Sequence, residues 1–285
     1  MFSLIRQGTR IVKSALKFTY NDSKRTKWWL RDESLIPVTQ SVVAAIRDIS
    51  KPTGPSNVEI IKWRKLKIVF RIEDSEGVAQ SFIVKAYLLS RFKHRLKYRR
   101  RGLNEVANLI RAKRRGINTP DVYGYGRIND IFGLVTVSII IMEDLCGRSA
   151  IDELMHTRPQ DECSRMLIST VSLFSKLYRG ACNLFDMNGG SVMLCEHALD
   201  SEAFLVDLER ADFYDRPSVE VLMFEAGYFA RSCRNWVSTE AIDQWLTELL
   251  SAVSINGNGE IEKAKERFNY YFGTDLSRKE RLRIC

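Results

Sequence analysis

Asp186, in the run LFDMNGGSVML, and Asp207, in AFLVDLERADF, each stand beside an apolar stretch that reads as a strand, and a glycine-containing turn lies between them. Upstream, Lys85 ends the apolar strand SFIVK, and Glu105 lies on the first predicted helix after it. A lysine, a glutamate and two aspartates in that order are the polar parts needed to hold a nucleoside triphosphate with magnesium and to activate a hydroxyl.

Each residue has a plain alternative. A strand-end lysine can carry its ammonium into a cleft and neutralise phosphate charge, or it can snorkel to water. Glu105 follows Lys85 by 20 positions and sits at the edge of an apolar helical stripe. It can orient the lysine as an ion pair while keeping its carboxylate partly wet; alone it is a solvated helix residue. Asp186 can orient an acceptor hydroxyl and take its proton, and Asn188 and Ser191 have oxygens that can assist magnesium or steer the aspartate. Read alone, D-x-N-G-G is turn chemistry. Asp207, at a strand terminus, suits magnesium between phosphates; otherwise it is a loop acid paired with Arg210. Glu143 and Leu145 lie in a linker after a buried strand, where backbone groups can meet an adenine edge or simply form a surface connection.

These side chains need a scaffold. Residues 1–57 read as an N-terminal helical extension, broken at the end by KPTGPSN (51–57). Lys67 to Ile72 alternates and is rich in branched residues, Asp74 to Gly77 supplies a turn, and Val78 to Tyr87 returns as a second strand. A helix follows from about Leu103 to Arg115, ended by Gly116. Val122–Gly126 and Leu134–Met142 read as further strands. Beyond Leu145 the periodicity is helical: 161–179, then stripes around Trp245 and Phe268. This predicts an α+β fold with a β-rich N-lobe (58–145) and a helical C-lobe (146–285), and a nucleotide site in the cleft between the lobes.

Composition narrows the setting. The six cysteines are scattered without a C-x-x-C pair, which fits reduced thiols. Leu134–Met142 is too short to span a bilayer, and the first residues lack a signal peptide's apolar core. A cytoplasmic location follows as an expectation. The net charge is +9, which calls for acidic partners. Arg6, Arg10, Lys13 and Lys17 fall on one helical face and Ile5, Val12, Ala15 and Leu16 largely on the other. This is the pattern of a basic helix on an anionic membrane surface, or of an ordinary packed helix with a basic outer face. Between Arg91 and Arg115 there are eleven Lys/Arg and one acid, Glu105. Nucleic-acid binding ranks behind a membrane surface here, because the interleaved aromatics are few.

Together, VKAY with Lys85, the run from Glu105 to Pro120, IIMEDL, DMNGGS from Asp186 and VDLERA with Asp207 resemble the bacterial lipopolysaccharide core kinases, the Kdo and heptose kinase group related to protein kinases. The resemblance covers roughly residues 58–215. It implies a protein-kinase-like two-lobed fold and ATP with magnesium. It also implies phosphorylation of a sugar hydroxyl in the lipid A–core precursor by a peripheral protein on the inner face of the cytoplasmic membrane. On that resemblance Lys85 binds ATP phosphates, Glu105 pairs with it, Asp186 is the catalytic base and Asp207 binds metal. Two positions depart from the family pattern. Leu184 stands where a histidine usually precedes the catalytic aspartate, and Ser191 stands where Asn or His is usual. These departures leave a non-catalytic, pseudokinase-like membrane-associated binding protein as the alternative.

Overall fold

The structure, a computed structural model, describes residues 2–48, 58–73, 81–198 and 201–284. The expected break at 51–57, the Asp74–Gly77 turn and the expected strand start at Val78 lie outside the described residues. The chain divides into two compact units, residues 1–111 with 120–145, and residues 112–119 with 146–285.

The first unit runs α1 (Phe2–Ala15), β1 (Phe18–Ser23), β2 (Thr26–Leu30), α2 (Ile36–Asp48), β3 (Val58–Arg64), β4 (Lys67–Glu73), β5 (Ser81–Leu88), α3 (Phe92–Tyr98), α4 (Arg101–Arg114), β6 (Val122–Asn129) and β7 (Val135–Glu143). Its strands form one antiparallel sheet in the order β1-β2-β6-β7-β5-β4-β3. Strand side chains alternate between faces, and the register sorts them into rows. Phe70, Val84 and Ile141 pair laterally across β4, β5 and β7. With Leu30, Trp28 and the α2 residues Val38 and Val42, they form one buried cluster. Each such side chain contributes roughly 2 kcal/mol when fully buried. The intervening row, Val69, Lys85, Ile140, Tyr125 and Trp29, belongs to the opposite face.

One expectation changes here, and one alternative is decided. Residues 18–30, read as part of a helical extension, form the β1–β2 hairpin and are hydrogen-bonded into the sheet through β6. Thr26–Leu30 alternates buried and half-buried along its length, a five-residue signal too short to stand out beside the long amphipathic pattern of α1. Val12 on that helix and Leu16 just after it lie in the interior of the unit, each at most 2% exposed, so its apolar side faces protein there, as the packed-helix alternative expects.

The second unit contains β8 (Arg148–Ala150), α5 (Ile151–Met155), α6 (Gln160–Ser169), α7 (Val171–Arg179), β9 (Cys182–Leu184), β10 (Val192–Cys195), β11 (Phe204–Leu205), β12 (Ala211–Phe213), α8 (Val219–Cys233), α9 (Thr239–Ala252), α10 (Asn258–Gly273) and α11 (Arg278–Ile284). Helix α8 is apolar on nearly all sides from Val221 to Ala230 and is buried accordingly. Phe174, Trp245 and Phe268 pack around its own Phe229 as an aromatic core. The Trp245 indole N–H donates to Thr170 Oγ1 at 3.1 Å, so the ring carries no unmet polar group inward.

Candidate active site

Lys85 follows from the two-residue period of β5. Val84 and Ala86 enter the core on one face, and Lys85 and Tyr87 project from the other toward α4. Lys85 is 4% exposed and Glu105 1%. The lysine Nζ donates to Glu105 Oε1 at 2.5 Å, and the Tyr87 hydroxyl donates to Glu105 Oε2. Glu105 was expected to stay partly wet, whereas it is fully enclosed. Gly102, one turn earlier on α4, explains the difference. A Cβ at that position would overlap Ser138 Oγ on β7, so the missing side chain lets the helix settle onto the sheet and carry Glu105 down to the lysine. Enclosing two charges costs several kcal/mol per ion, which their attraction offsets only with good geometry. Such a pair points to a task beyond stability.

The linker after β7 is anchored within the first unit. Glu143 Oε2 accepts from the Asp121 N–H at 2.9 Å, which commits the side chain to the residue just before β6. Asp144 takes Arg71 Nε at 2.6 Å and Ser81 Oγ at 2.6 Å, tying β4 and β5 to the segment that ends in half-buried Leu145.

The acids of the second unit share one end of two short hairpins. β9 pairs with β12, Leu184 opposite Ala211, so Asp186 and the Asp207–Arg210 turn leave the ladder at the same end. β10 pairs with β11, Val192 opposite Leu205, and the Val206 N–H donates to the Ser191 carbonyl at 2.9 Å. Asp207 follows directly, with φ 64° and ψ 49°. Asp tolerates this left-handed geometry better than most residues, and functional sites are enriched in it. Asn188 Nδ2 donates to the Asp186 carbonyl at 2.7 Å, which leaves its Oδ1 as an acceptor. The paired glycines serve close approach as well as turning. A Cβ on Gly189 would lie 2.8 Å from Asp152 Cβ on α5, and the Gly189 N–H donates to Ser232 Oγ on α8 at 2.8 Å.

Asp186 itself is held from two sides. Arg210 Nη1 meets Oδ2 at 2.8 Å and Arg281 Nη1 meets Oδ1 at 3.0 Å. Arg210 had been considered a partner for Asp207; its carboxylate contacts in the structure are with Asp186 and Glu209. Arg281, from α11, also lies over the Phe185 ring at 5.1 Å.

Sequence reasoning missed Gly102, Arg281 and Glu225. Glu225 is the acid inside α8, and its Oε1 accepts the Leu184 N–H at 2.5 Å. Burial pushes its carboxyl well above the usual range, against the lowering effect of that N–H. It fixes the backbone two residues before Asp186. The one available signal was an acid in the middle of an otherwise apolar helix.

Asp207, Ser191 and Asn188 offer only oxygen donors, the set a hard cation such as magnesium takes. Among the described residues no cluster of three or more His, Cys, Asp or Glu stands ready for a metal. Magnesium usually keeps several waters and phosphate oxygens in its shell, so one carboxylate with neutral oxygens fits it.

No protein-family model matches the sequence, and no characterised protein matches it by sequence. In structure the chain is similar to WaaP, solved in complex with acyl carrier protein. The match covers 79% of this chain and 88% of that one at 14% identity, with a TM-score of 0.52. The likeness shows the fold: protein-kinase-like, with a β-rich N-terminal unit and a helical C-terminal unit.

Proposed function

We propose that this chain transfers the terminal phosphoryl group of ATP to a sugar hydroxyl of the lipopolysaccharide inner core, as a peripheral protein on the inner face of the cytoplasmic membrane. The observation that carries this reading is the enclosed Lys85–Glu105 pair, 2.5 Å apart. A lysine held and oriented by a carboxylate in a protein interior suits the α- and β-phosphates of a nucleotide. Asp207, with Ser191 and Asn188, would hold magnesium, which supplies neutralisation of phosphate charge. Asp186 orients the acceptor hydroxyl and receives its proton as the new oxygen–phosphorus bond forms and the bond to the ADP oxygen breaks. The backbone around Glu143 and Leu145 receives the adenine edge. Among the described residues no helix is long and apolar enough to cross a membrane; on this reading the chain attaches by surface contact.

A second reading has its own support. Both carboxylate oxygens of Asp186 carry an arginine, and Leu184 and Ser191 replace residues usual in the family that the motifs resemble. A nucleotide-binding relative without turnover accommodates those features. Incubation of the purified protein with ATP, magnesium and lipopolysaccharide core precursor separates the two. Transfer that disappears in Asp186→Ala supports the kinase; nucleotide binding without product from any core acceptor supports the second reading.

A further inference from the structure

The first unit has a basic cavity that this reading does not use. It measures about 350 Å³ and is lined by Lys13, Trp29, Arg99, Arg100, Tyr125 and Arg127, among others. Its ligand class follows from its charge. Four cations line it, and among the described residues none of the four has a carboxylate within ion-pair distance. Arg127 Nε is enclosed without a hydrogen-bond partner, and the Arg127 guanidinium lies over the Trp29 ring at 5.2 Å. A phosphate accepts several charge-assisted hydrogen bonds at once and relieves the repulsion among clustered cations.

The elements bordering the cavity explain where such a phosphate would come from. Phe92 and Leu96, four apart on α3, are 63% and 48% exposed. Ile131 and Phe132, in the β6–β7 turn, are 69% and 82% exposed. Arg95 Nη1 pairs with Asp130 Oδ2 at 2.7 Å and fastens α3 to that turn. The Asp130 carboxylate also accepts the N–H groups of Phe132 and Leu134, which braces the turn. Arg99 and Arg100 follow α3 directly, and Gly133 to Val135 leave the turn; both stretches line the cavity. Large exposed apolar side chains beside unpaired cations match a bilayer interface, where the rings enter the headgroup boundary and the cations meet lipid phosphate.

We propose that this region of the first unit is a membrane-docking surface, in which the cavity takes the phosphate of an anionic lipid headgroup while Phe92, Leu96, Ile131 and Phe132 enter the interface. It moves the membrane contact from the apolar side of α1, where Val12 and Leu16 are buried in protein, to α3 and the β6–β7 turn. The inference rests on the membrane part of the proposed function and not on phosphoryl transfer, so the two fail in different assays.

Flotation with phosphatidylcholine vesicles, with and without phosphatidylglycerol, tests it on the full chain. The wild type binds only the anionic vesicles. Ile131→Ser/Phe132→Ser, both positions exposed and outside the core, weakens binding about tenfold. Arg100→Gln/Arg127→Gln weakens it to a similar extent, and Lys13→Gln/Arg99→Gln, at exposed positions, repeats that loss if the first pair perturbs folding. Ile60→Ser/Trp63→Ser, also exposed apolar positions but on β3, at 45% and 53%, leaves binding unchanged. The proposal is overturned by absence of vesicle binding, by equal binding to neutral vesicles, or by a loss in the β3 variant matching that in the turn variant. Capture by a soluble phosphate ester that displaces the vesicles completely would also overturn it in favour of a free ligand.

Discussion

Arg281 donates to Asp186 Oδ1 at 3.0 Å across 95 residues of sequence. The last helix thereby reaches the carboxylate proposed as the base. Arg281 is held in turn over Phe185 and Tyr228, at 5.1 and 5.5 Å. Its direct effect is on where the carboxylate points.

Arg281→Ala is therefore expected to lower kcat about tenfold with KM for ATP nearly unchanged, because the base loses orientation and the nucleotide keeps its contacts. Arg281→Lys restores part of the rate. Steady-state kinetics on the three proteins check this; an unchanged kcat in Arg281→Ala refutes the positioning role.

Gly102 sets the approach of α4. In Gly102→Ala the new methyl meets Ser138 Oγ, the helix shifts outward, and stability falls by about 1–3 kcal/mol through overpacking. ATP affinity falls with it as Glu105 withdraws from Lys85. Adding Ser138→Gly removes the clashing hydroxyl and recovers both. Urea melts and nucleotide titrations on the single and double variants test the coupling.

Removal of one partner of the enclosed pair separates stability from function. Lys85→Met leaves Glu105 buried with the Tyr87 hydroxyl and is expected to cost about 3–5 kcal/mol. Lys85→Met/Glu105→Leu recovers most of that stability while nucleotide affinity stays lost. Equal affinity in the double variant and the wild type would make the pair structural.

Glu225 predicts a pH dependence. Its carboxyl is raised in the folded chain by burial, so its contribution is fully present below the ordinary value of 4.5 and is lost as pH rises through the raised value. Glu225→Gln does not titrate. Its melting temperature should therefore gain on the wild type as pH rises above about 4.5 and through the raised value. Glu225→Leu, which orphans the Leu184 N–H, should cost about 1–3 kcal/mol at low pH, a deficit that narrows as pH rises and the wild type loses the contribution of its protonated carboxyl. Parallel pH curves for wild type and Glu225→Gln would show that the proton is not held.

Much of the fold was legible because its signals are local. Alternation in Lys67–Ile72, the returning strand that ends near Tyr87 and the apolar stripe of residues 103–110 gave β4, β5 and α4, and Lys85 and Glu105 followed from their places on β5 and α4. β3 gave no such signal. It is a sheet edge, mostly exposed along its length, so its sequence lacks the in–out alternation of a half-buried strand. Gly102, Glu225 and Arg281 act across 36, 41 and 95 residues to Ser138, Leu184 and Asp186. No spacing rule encodes contacts of that range; they exist only once the helices pack. Glu105 was placed on the right helix and with the right partner, yet its burial depended on the space left by a glycine.

Titration calorimetry of ATP, with and without magnesium, on wild type, Lys85→Met and Asp207→Asn tests the central claim most directly. The account predicts magnesium-enhanced binding in the wild type, loss of the magnesium enhancement alone in Asp207→Asn, and weakening under both conditions in Lys85→Met. Identical isotherms for the three proteins, or no ATP binding by the wild type, would contradict it.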